Sequence, residues 1–486
     1  MINDEKELLM MSIKQLTEQV KMDLSYIGFS SQSWVAPTSH PDGHVYDVVI
    51  IGGGQSGLGT AFALLRERIS NILIIDENPA GYEGPWVTYA RMFTLRTPKQ
   101  LPSIDLGLPS LTFQAWWRAQ HGEQGWTELD KIPRHEWMNY LKWYRDVLSL
   151  PIRNEVKLDL IEPMEGNLHR LHVKEQGESK NYLARKVVLA TGIQGGGEWH
   201  VPDFIKQLPK ERYAHTSEAI DFDSLKGKRV AILGGGASAF DNANYALEHG
   251  VKEAHIFVRR KQLPRINPIR QLEHSGLIER YHVLSDEEKY TAMSHFFLFN
   301  QPPTNDTFSR ASAWEGFHLH LDSPWLQVEE SANGALVTTP HAQLEFDYLV
   351  ISTGLISDPA LRPELRQIHR FITRWQDVFT PSAAIANPAV DAHPYLTQEF
   401  AFTPNCEEGK KALRGIFSFN YSALISCGVS ASALSGLRFA VPKLAKGIAD
   451  ELFEEDKQSI LQSYLAYDVE EFIADLPGKA HEEPVA

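Results

Sequence analysis

Two cysteines, Cys406 and Cys427, are all that this chain of 486 residues contains. They form no C-x-x-C motif, so neither a disulfide framework nor a redox-active dithiol is indicated. Because so few cysteines are typical of a reducing compartment, we expect a cytoplasmic protein. No metal site is predicted from the sequence.

Positive charge is also scarce. The 47 lysines and arginines are outnumbered by 62 aspartates and glutamates, which gives a formal net charge of −15. This balance disfavours nucleic acid and an anionic membrane as partners. The amino terminus carries acidic residues where a signal peptide needs cations, so no signal peptide is predicted.

A long apolar run is missing as well. The longest uncharged stretch, residues 415–437, includes six serines and Asn420, which are costly in lipid. We interpret it as buried polar backbone and helix beside a ligand, not as a membrane span. With 43% hydrophobic and 22% charged residues, the composition is that of a soluble globular enzyme of two or three domains.

The stretch 47–76 has the pattern of a dinucleotide-binding unit. It begins with an apolar run typical of a buried parallel strand and then reads G-x-G-x-x-G at residues 52–57. A helical pattern follows at residues 58–68, and a second apolar run ends on Asp76.

The roles of these residues follow from the chemistry of a dinucleotide. Gly52 allows a tight turn, Gly54 lets a pyrophosphate approach the backbone, and Gly57 lets helix and strand pack closely. The carboxylate of Asp76, 24 residues after Gly52 (76 − 52), can bind ribose hydroxyls, which suits FAD. A glycine-rich turn in another kind of α/β unit is the alternative, but it does not require Asp76. The predicted FAD contacts of this unit are Gly52, Gly54, Gln55, Ser56, Gly57, Asp76 and Glu77.

A second copy of the pattern occupies residues 228–260. An apolar strand leads into Gly234-x-Gly236-x-x-Ala239, a helical stretch follows, and the next strand ends on two arginines instead of an acid. Arginine can pair bidentately with a 2′-phosphate, so this copy suits NADPH. A basic turn on the surface is the alternative. The predicted NADPH contacts are Gly234, Gly236, Ser238, Ala239, Arg259 and Arg260.

Two similar strand ends frame the second copy. Residues 186–192 (KVVLATG) and 348–354 (YLVISTG) each predict a strand that ends in a Thr-Gly pair. We expect each of these strands to be the last of its unit before the chain crosses to the other nucleotide-binding unit. The predicted coenzyme contacts at these ends are Thr191, Gly192, Thr353 and Gly354.

The predicted fold class is therefore α/β, with two Rossmann-like dinucleotide-binding domains. An FAD-binding domain covers residues 45–210 and 340–455, and an NADPH-binding domain, residues 211–339, is inserted into it. A helical extension and linker, residues 1–44, precedes them, and an acidic tail, residues 456–486, follows.

Two further segments have clear periodicity. Apolar residues recur at helical spacing from Leu8 to Leu24, which predicts an amphipathic helix within residues 1–30. This helix either clasps its own chain or contacts a second subunit, so a homodimer is possible. Aromatic side chains are concentrated at residues 113–144, and we interpret them as core, with a substrate-binding aromatic box as the alternative.

The loop after the first unit suits a flat ring. Glycines at positions 81 and 84 precede Trp86, whose side chain we expect beside the flavin. Arg96 and Thr97 follow in a basic segment, and we place both near the flavin ring. A solvated basic loop is the alternative.

Two dinucleotides in one chain bring a nicotinamide beside a flavin, and the chemistry then belongs to the coenzymes. Hydride passes from NADPH to FAD, and the reduced flavin can pass electrons to a disulfide, to a carrier or to O₂. The missing C-x-x-C motif disfavours the disulfide. Oxygenation requires a C4a-(hydro)peroxyflavin that is sheltered from water.

The order of these motifs resembles that of class B flavoprotein monooxygenases, which include flavin-containing monooxygenases, microbial N-hydroxylases and Baeyer–Villiger enzymes. The resemblance covers about residues 45–455. Of the diagnostic F-x-G-x-x-x-H motif only His215 is present, which argues against the Baeyer–Villiger and typical flavin-containing branches. In the family this histidine affects catalysis, and a structural linker histidine is the alternative here.

Residues 427–435 look like the H-G-[LI]-S-x-x-L-L-S element of microbial N-hydroxylating monooxygenases, with Cys427 in place of the histidine. The matching residues are Gly428, Ser430, Leu434 and Ser435. This resemblance implies oxygenation of nitrogen before sulfur. Asn420, close by in sequence, is a candidate to hydrogen-bond flavin or substrate, with a buried structural asparagine as the alternative.

We therefore expect an NADPH- and FAD-dependent monooxygenase that oxygenates a small molecule with O₂. The alternatives are an NADPH reductase or oxidase of the same architecture, and a nucleotide-bound redox-sensing protein. No motif identifies the substrate. The predicted catalytic residues are His215, Arg96, Thr97 and Asn420.

Overall fold

The computed structural model describes residues 12–29, 32–101, 104–299, 301–431 and 433–472. The strands, in chain order, are β1 Ser39–His40, β2 Gly43–Ile51, β3 Ile72–Ile75, β4 Ile152–Arg153, β5 Val156–Pro163, β6 His169–Glu175, β7 Glu178–Leu189, β8 Gly197–Trp199, β9 Tyr213–His215, β10 Arg229–Leu233, β11 Glu253–Phe257, β12 Phe317–His320, β13 Gln327–Glu330, β14 Ala335–Thr338, β15 Gln343–Phe346, β16 Tyr348–Ile351, β17 Leu355–Ser357 and β18 Ile416–Phe417.

The α-helices lie between and around these strands, and short 3₁₀ turns complete the connections. In chain order they are α1 Ile13–Tyr26, α2 Gln55–Arg66, α3 Phe113–Glu128, α4 Arg134–Val147, α5 Asp203–Lys206, α6 Ala237–Glu248, α7 Pro268–His274, α8 Leu277–Arg280, α9 Asp286–Phe299, α10 Asn305–Ser312, α11 Trp375–Val378, α12 Pro388–Asp391, α13 Glu407–Leu413, α14 Leu424–Cys427 and α15 Leu437–Leu465.

The first sheet has eight strands, in the order β4-β3-β2-β7-β6-β5, with β1 against β2 and β18 against β7. The strands β4, β3, β2, β7 and β18 run parallel, whereas β5, β6 and β7 form an antiparallel meander. The apolar residues 48–51 of β2 are buried between the flanking layers, as a central parallel strand requires. Helix α2 begins at the glycine-rich turn, three residues earlier than the helical pattern predicts.

The second sheet is fully parallel, in the order β12-β11-β10-β16-β9. Strand β16 pairs with β10, so this sheet reaches residue 351. The predicted boundary at residue 339, which assigns β16 to the first domain, is corrected by this pairing. A separate three-stranded antiparallel sheet, β13-β14-β15, packs its apolar face against the second sheet.

The chain crosses between the two sheets twice, and the two crossings pair with each other. Strand β8 carries the chain out of the first unit, and strand β17 brings it back. The two strands are antiparallel, with Gly197 opposite Ser357 and Trp199 opposite Leu355. The linkers therefore form one two-stranded ribbon between the units.

Helix α1 clasps its own chain. Leu16, Val20 and Leu24 are buried in the main core, and the indole N–H of Trp143 in α4 donates to the hydroxyl of Thr17 at 3.0 Å. This observation selects the intrachain alternative for the described part of the predicted helix; Leu8 and Leu9 lie outside the described residues. The stripe of Trp137, Tyr140 and Tyr144 is fully buried, which confirms its interpretation as core.

The last helix, α15, is fastened to the first sheet by a buried ion cluster. The ammonium of Lys186 in β7 is fully buried and lies 2.7 Å from Glu451 and 2.8 Å from Glu455. Arg185 is bound to Glu455 and Asp456 in the same way. The predicted acidic tail from residue 456 is therefore corrected, because helix α15 continues to Leu465 and Asp456 is part of this cluster.

The uncharged stretch 415–437 is buried and hydrogen-bonded where it is described. Ser426, for example, accepts from the indole N–H of Trp375 and from the backbone N–H of Leu396. Among the described residues, no single helix has the length and apolarity to cross a membrane. The segments Tyr421–Ser430 and Leu434–Leu465 meet that test only jointly, across a bend of 57°.

Candidate coenzyme and substrate site

The first glycine-rich turn fits tightly under its sheet. Gly52 has φ +112° and a Cβ there would clash with the carbonyl oxygen of Ala190 at the end of β7. A Cβ at Gly57 would clash with the carbonyl oxygen of Gly52. Only glycine fits either position, and the backbone of the turn stays open for a pyrophosphate at the N-terminus of α2.

Asp76 closes this turn from the next strand. Its carboxylate accepts from the backbone N–H of Gly53 at 2.7 Å and of Asn78 at 2.8 Å. Burial raises the pKa of Asp76, and these hydrogen bonds oppose the rise. Glu77, the next residue, points to solvent and pairs with Lys157 at 3.0 Å. Of the two predicted acids, only Asp76 is therefore at the turn.

The residues beneath the turn include a buried acid that sequence reasoning missed. Glu83 is almost completely buried and lies beside Gly53, with its carboxylate 2.9 Å from Arg145 and 2.6 Å from the amide of Asn154. It also accepts from the backbone N–H of Gly81. An acid between two glycines in the sequence GYEGPW was the available signal.

The second glycine-rich turn repeats the first. Gly234 has φ +140° and a Cβ there would clash with the carbonyl oxygen of Ser352 at the end of β16. Its N–H donates to Phe257 at 3.0 Å, as the N–H of Gly52 donates to Ile75 at 2.8 Å. Helix α6 then begins at Ala237, as α2 begins at Gln55.

This equivalence shows which residues of the second unit occupy the positions of Asp76 and Glu77. Since Ile75 matches Phe257, Val258 occupies the position of Asp76, and Arg259 that of the exposed Glu77. Val258 is buried against Gly235. Arg259 is exposed, one position beyond the place that the spacing from Gly234 suggested.

The chain itself covers part of the second turn. The backbone N–H of Ala237, in the first turn of α6, donates to the carbonyl oxygen of Gln301 at 3.2 Å. The guanidinium of Arg260 donates to the carbonyl oxygen of Leu298 at 2.7 Å. The predicted contact Arg260 and the N–H of Ala237 therefore bind carbonyl groups of Leu298, near the end of α9, and of Gln301 beyond it. The neighbouring Ser238 is exposed, and Ala239 is buried.

The surroundings of Trp86 indicate whether a flavin fits the first unit. Its ring is buried beside Gly84 and packs edge-on against Trp137, at 6.4 Å between centroids. Its indole N–H is buried and has no hydrogen-bond partner within the described part of the chain. Such an orphaned donor next to an open glycine turn fits a polar ligand atom. Gln55 is held nearby by the indole N–H of Trp137 at 3.1 Å.

The segment 91–99 joins the two units and is not a solvated loop. Arg91 is buried and donates to the carbonyl oxygens of Thr216 at 2.7 Å and Glu218 at 2.9 Å. Lys99 donates to the carbonyl oxygens of Trp126 and Leu129. Lys99 thus holds the segment to the first unit, and Arg91 binds it to the second.

Arg96 forms an ion pair with Asp241 in helix α6 of the second unit. Its own carbonyl oxygen accepts from Arg270 at 3.2 Å, and Thr97 beside it is half-buried. Burial raises the pKa of Asp241, and the Arg96 guanidinium opposes that shift. The predicted position of Arg96 beside the flavin ring stays a prediction; its observed partner is the helix of the second glycine turn.

His215 ends strand β9 of the second sheet. Its ring stacks on Trp199 of the linker at 4.9 Å between centroids, and its Nδ1 accepts from the backbone N–H of Ser217 at 3.2 Å. Burial lowers the pKa of His215 to about 4, although Glu218 opposes the shift. The imidazole is therefore neutral near pH 7. It contacts Trp199 of the linker and Ser217 just after β9, and its buried Nε2 has no hydrogen-bond partner within the described residues.

Asn420 is buried in a polar network at the end of β7. Its amide nitrogen lies 3.1 Å from the Thr191 hydroxyl and 3.3 Å from the carbonyl oxygens of Leu189 and Gly195. Its amide oxygen accepts from the N–H and the hydroxyl of Ser422. These bonds match the structural alternative, and contact with flavin or substrate stays a prediction.

The two Thr-Gly strand ends lie at the base of the linker ribbon. The N–H of Tyr421 donates to the carbonyl oxygen of Gly192 at 3.1 Å. The N–H of His200 donates to Gly354 at 2.9 Å, and the Thr353 hydroxyl donates to the carbonyl oxygen of His200. Both pairs thus anchor the crossings, next to the glycine turns.

One relative decides the family. This chain is 56% identical over 469 residues to the FAD-dependent urate hydroxylase of Xanthomonas campestris pv. campestris, which covers 96% of this chain and 98% of the relative. The chain belongs to the class B flavoprotein monooxygenases. This monooxygenase is thus an oxidoreductase that uses FAD and a nicotinamide dinucleotide, as the motifs predicted.

Family profiles and solved structures agree with this assignment of the monooxygenase. Residues 49–194 match the profile described as FAD-NAD(P)-binding, and residues 126–295 match L-lysine 6-monooxygenase/L-ornithine 5-monooxygenase. An ornithine hydroxylase from Pseudomonas aeruginosa superposes with a TM-score of 0.67 at 16% identity, over 84% of this chain and 100% of that one. A cadaverine monooxygenase from Erwinia amylovora gives 0.62 at 17% identity, over 91% and 100%. These structures confirm the predicted α/β fold.

Proposed function

We propose that this monooxygenase hydroxylates urate, with FAD as resident coenzyme and NADPH as reductant. The observation that carries the proposal is the 56% identity to a urate hydroxylase along nearly the whole of both chains. The reaction balances when urate, O₂, NADPH and a proton give hydroxylated urate, NADP⁺ and water. One oxygen atom enters the product, and the other leaves as water.

The first unit would hold FAD. Gly52, Gly54 and Gly57 leave the backbone open to the pyrophosphate, and the N-terminus of α2 adds a partial positive charge there. Asp76 presents its carboxylate to the ribose, while its bond to Gly53 keeps the turn closed. When bound and reduced, the flavin supplies the activation of O₂.

The second unit would hold NADPH. Arg259 is free to approach a 2′-phosphate from the exposed end of β11, and Arg260 can join it by releasing the carbonyl oxygen of Leu298. The N–H of Ala237 likewise exchanges the Gln301 carbonyl for a phosphate oxygen. Coenzyme binding would therefore displace the carbonyl groups of Leu298 and Gln301 from these donors.

The surrounding residues would orient the rings and exclude water. Trp86, with its orphaned indole N–H, supports the flavin side of the crevice. Arg91 and the Arg96–Asp241 pair hold the two units at a fixed distance. His215, neutral near pH 7, accepts from the backbone N–H of Ser217 and positions the linker against Trp199.

The direct test uses the FAD-loaded enzyme with urate and NADPH under air. We expect urate to stimulate NADPH oxidation, with equal amounts of NADPH, O₂ and urate consumed and little hydrogen peroxide formed. Two controls, one without urate and one with adenine in place of urate, should show only slow oxidation of NADPH. Urate that neither stimulates NADPH oxidation nor disappears would contradict the substrate. Stimulated oxidation with stoichiometric peroxide would show an oxidase instead.

Oxygenation of an amine is the second candidate. It is favoured by the match of residues 126–295 to the lysine and ornithine monooxygenase profile. The same assay with ornithine, lysine and cadaverine discriminates the two candidates, since only a true substrate couples NADPH oxidation to product. A hydroxylamine product with unchanged urate would support N-oxygenation, which the sequence favoured over S-oxygenation. A homodimer stays a prediction for either candidate.

A further inference from the structure

Four side chains that bind metals well lie together on the outer edge of the second sheet. Strands β11 and β12 are parallel neighbours, with His255 directly opposite His318 and Phe257 opposite His320. Since side chains alternate between the faces of a strand, Glu253, His255, His318 and His320 project from the same face.

The donor atoms of three of these residues are close together. One ligand atom each from Glu253, His255 and His318 lies within 4.8 Å of the others. Nε2 of His255 lies 3.1 Å from Oε2 of Glu253. Ligands around a tetrahedral zinc ion at about 2.1 Å lie roughly 3.4 Å apart, so the spacing of His255 and Glu253 is already suitable. The ring of His318 stacks on that of His255 with 4.2 Å between centroids, so it must rotate out of the stack to point a nitrogen at the same ion. His318 is exposed and can make that movement.

The fourth residue orients the central ligand. Nε2 of His320 lies 2.9 Å from Nδ1 of His255, the ring nitrogen that points away from Glu253. A proton on Nδ1 of His255 would then be donated to His320, and Nε2 would present its lone pair to an ion. Histidine ligands commonly have such an acceptor behind them, which fixes the tautomer and the ring orientation.

We propose that Glu253, His255 and His318 bind a divalent transition-metal ion of the zinc class, with His320 as the residue behind His255. Two imidazoles and one carboxylate are donors that suit zinc, nickel or copper, and three protein ligands leave room for water. The prediction of no metal site from the sequence is revised by this proposal. Sequence spacing could not indicate it, because His318 is 63 residues beyond His255 (318 − 255).

The ion would hold an edge strand in place. Between β11 and β12 the chain makes an excursion of about 60 residues that includes α7 to α10 before it returns to the sheet. A ligand on each strand therefore closes a long loop. The ligands lie in the body of the strands, before Arg259 at the carboxyl end of β11, so the site is separate from the coenzyme contacts.

Arg229 shares the carboxylate with the proposed ion. Its Nε lies 2.6 Å from Oε2 of Glu253, and Nζ of Lys252 lies 3.6 Å from the other oxygen. A carboxylate oxygen has two lone pairs, so Oε2 can keep Arg229 and still face the ion. The arginine thereby holds the carboxylate in position beside His255.

The test measures zinc binding by the full-length, FAD-loaded enzyme, purified without a histidine tag and treated with a chelator. We expect one Zn²⁺ per chain with a dissociation constant that rises at least about tenfold in His318→Ala, which removes a ligand. His320→Ala should weaken binding by about 10- to 100-fold through loss of the second contact of His255.

The matched control is His172→Ala. His172 also pairs with a glutamate, at 2.7 Å from Glu162, but among the described residues it belongs to no three-ligand group. This variant should bind zinc as the wild type does. At a Zn²⁺ concentration that just saturates the wild type, the melting temperature should rise in the wild type and in His172→Ala and should rise less in His318→Ala.

Two outcomes would overturn the proposal. One is a wild-type enzyme that retains no Zn²⁺ at about 100 μM free ion. The other is equal affinity in wild type and His318→Ala, which would place any bound zinc elsewhere. Because His318 is exposed, its replacement is not expected to unfold the chain, and the Co²⁺ absorption spectrum of both proteins provides a second readout of nitrogen ligation.

Discussion

The two nucleotide-binding units share one backbone frame but differ in the residues that face the ligand. In both, the first glycine of the turn lies under a carbonyl of the neighbouring strand, Ala190 in one and Ser352 in the other. The frame carries an acid, Asp76, in the first unit and an apolar Val258 at the same place in the second. The backbone geometry of the two turns is thus shared, and we propose that the side chains beyond them select the dinucleotide.

The two units also differ in the strands next to the glycine turns, β7 in the first unit and β16 in the second. Lys186 in β7 has its counterpart in Tyr348 of β16, because Leu189 and Ile351 occupy matching positions. By the same register, Ser418 corresponds to His215. The buried ion cluster at Lys186 joins helix α15 to the first sheet, whereas the contact of α15 with the inserted segment is made by Lys443, which donates to the carbonyl oxygen of Glu279 at 3.1 Å.

The largest effect is expected from this fastening. Lys186→Met leaves Glu451 and Glu455 without their buried ammonium, and we expect it to lower the free energy of unfolding by about 3 kcal/mol. Tyr348→Phe, at the matching position, should change it by less than about 1 kcal/mol. Urea unfolding followed by circular dichroism measures the free energy of unfolding of both variants. Equal losses in the two variants would show that the buried ion cluster adds no stability to the first unit.

The next largest effect is expected at Gly57, which corresponds to Ala239 in the second unit. In Gly57→Ala the new Cβ overlaps the carbonyl of Gly52, and overpacking of about 2 kcal/mol should weaken FAD binding about 30-fold. Ala239→Gly is the matched change in the second unit and should leave FAD binding unaffected. Flavin absorbance after gel filtration reports the bound fraction, and full retention in Gly57→Ala would contradict the tight turn.

Selection of the reductant should follow Arg259. Loss of a charge-assisted bond in Arg259→Ala should weaken NADPH by about 1.5 kcal/mol, roughly tenfold, and leave NADH nearly unchanged. The control is Glu77→Ala, at the same position of the first unit, which should leave the KM values for both nicotinamide coenzymes unchanged. Steady-state KM values for both coenzymes provide the measurement. If NADH and NADPH weaken equally, Arg259 does not contact the 2′-phosphate.

The smallest effect is a pH dependence in the second unit. The folded-state pKa of His215 is lowered to about 4 by burial, so its contribution to stability is present above the unfolded pKa near 6.5 and is lost as pH falls toward 4. The difference in free energy of unfolding between the wild type and His215→Gln should therefore decrease by about 0.7 kcal/mol between pH 7 and pH 6. Ser418→Ala should shift the melting temperature equally at both pH values. A constant gap for His215→Gln would contradict the lowered pKa.

Much of the fold followed from local patterns. The apolar strands, the glycine turns and the two Thr-Gly strand ends are set by neighbouring residues, and the structure has them where the sequence predicts. The boundary at residue 339 failed because β16 joins the second sheet through pairing with β10, a contact between distant segments. The tail from residue 456 failed because Arg185 and Lys186 lie about 270 positions away from the acids that they bind.

The site was predicted less completely than the fold. The position of Asp76 at the first turn could be predicted because it depends on one turn and one strand, and its contact with the ribose stays a prediction. The partner of Arg96 could not, since Asp241 belongs to the other unit and faces it only after both have folded. The carbonyl groups that cover Ala237 and Arg260 were also unpredictable, because backbone acceptors carry no signal in the sequence.

The paired linkers restrict how the nicotinamide unit can move. Because β8 and β17 are hydrogen-bonded to each other, the two covalent crossings cannot slide independently. Arg91 and the Arg96–Asp241 pair join the units away from the ribbon, so a displacement of the second unit would have to break these contacts as well as bend the paired strands.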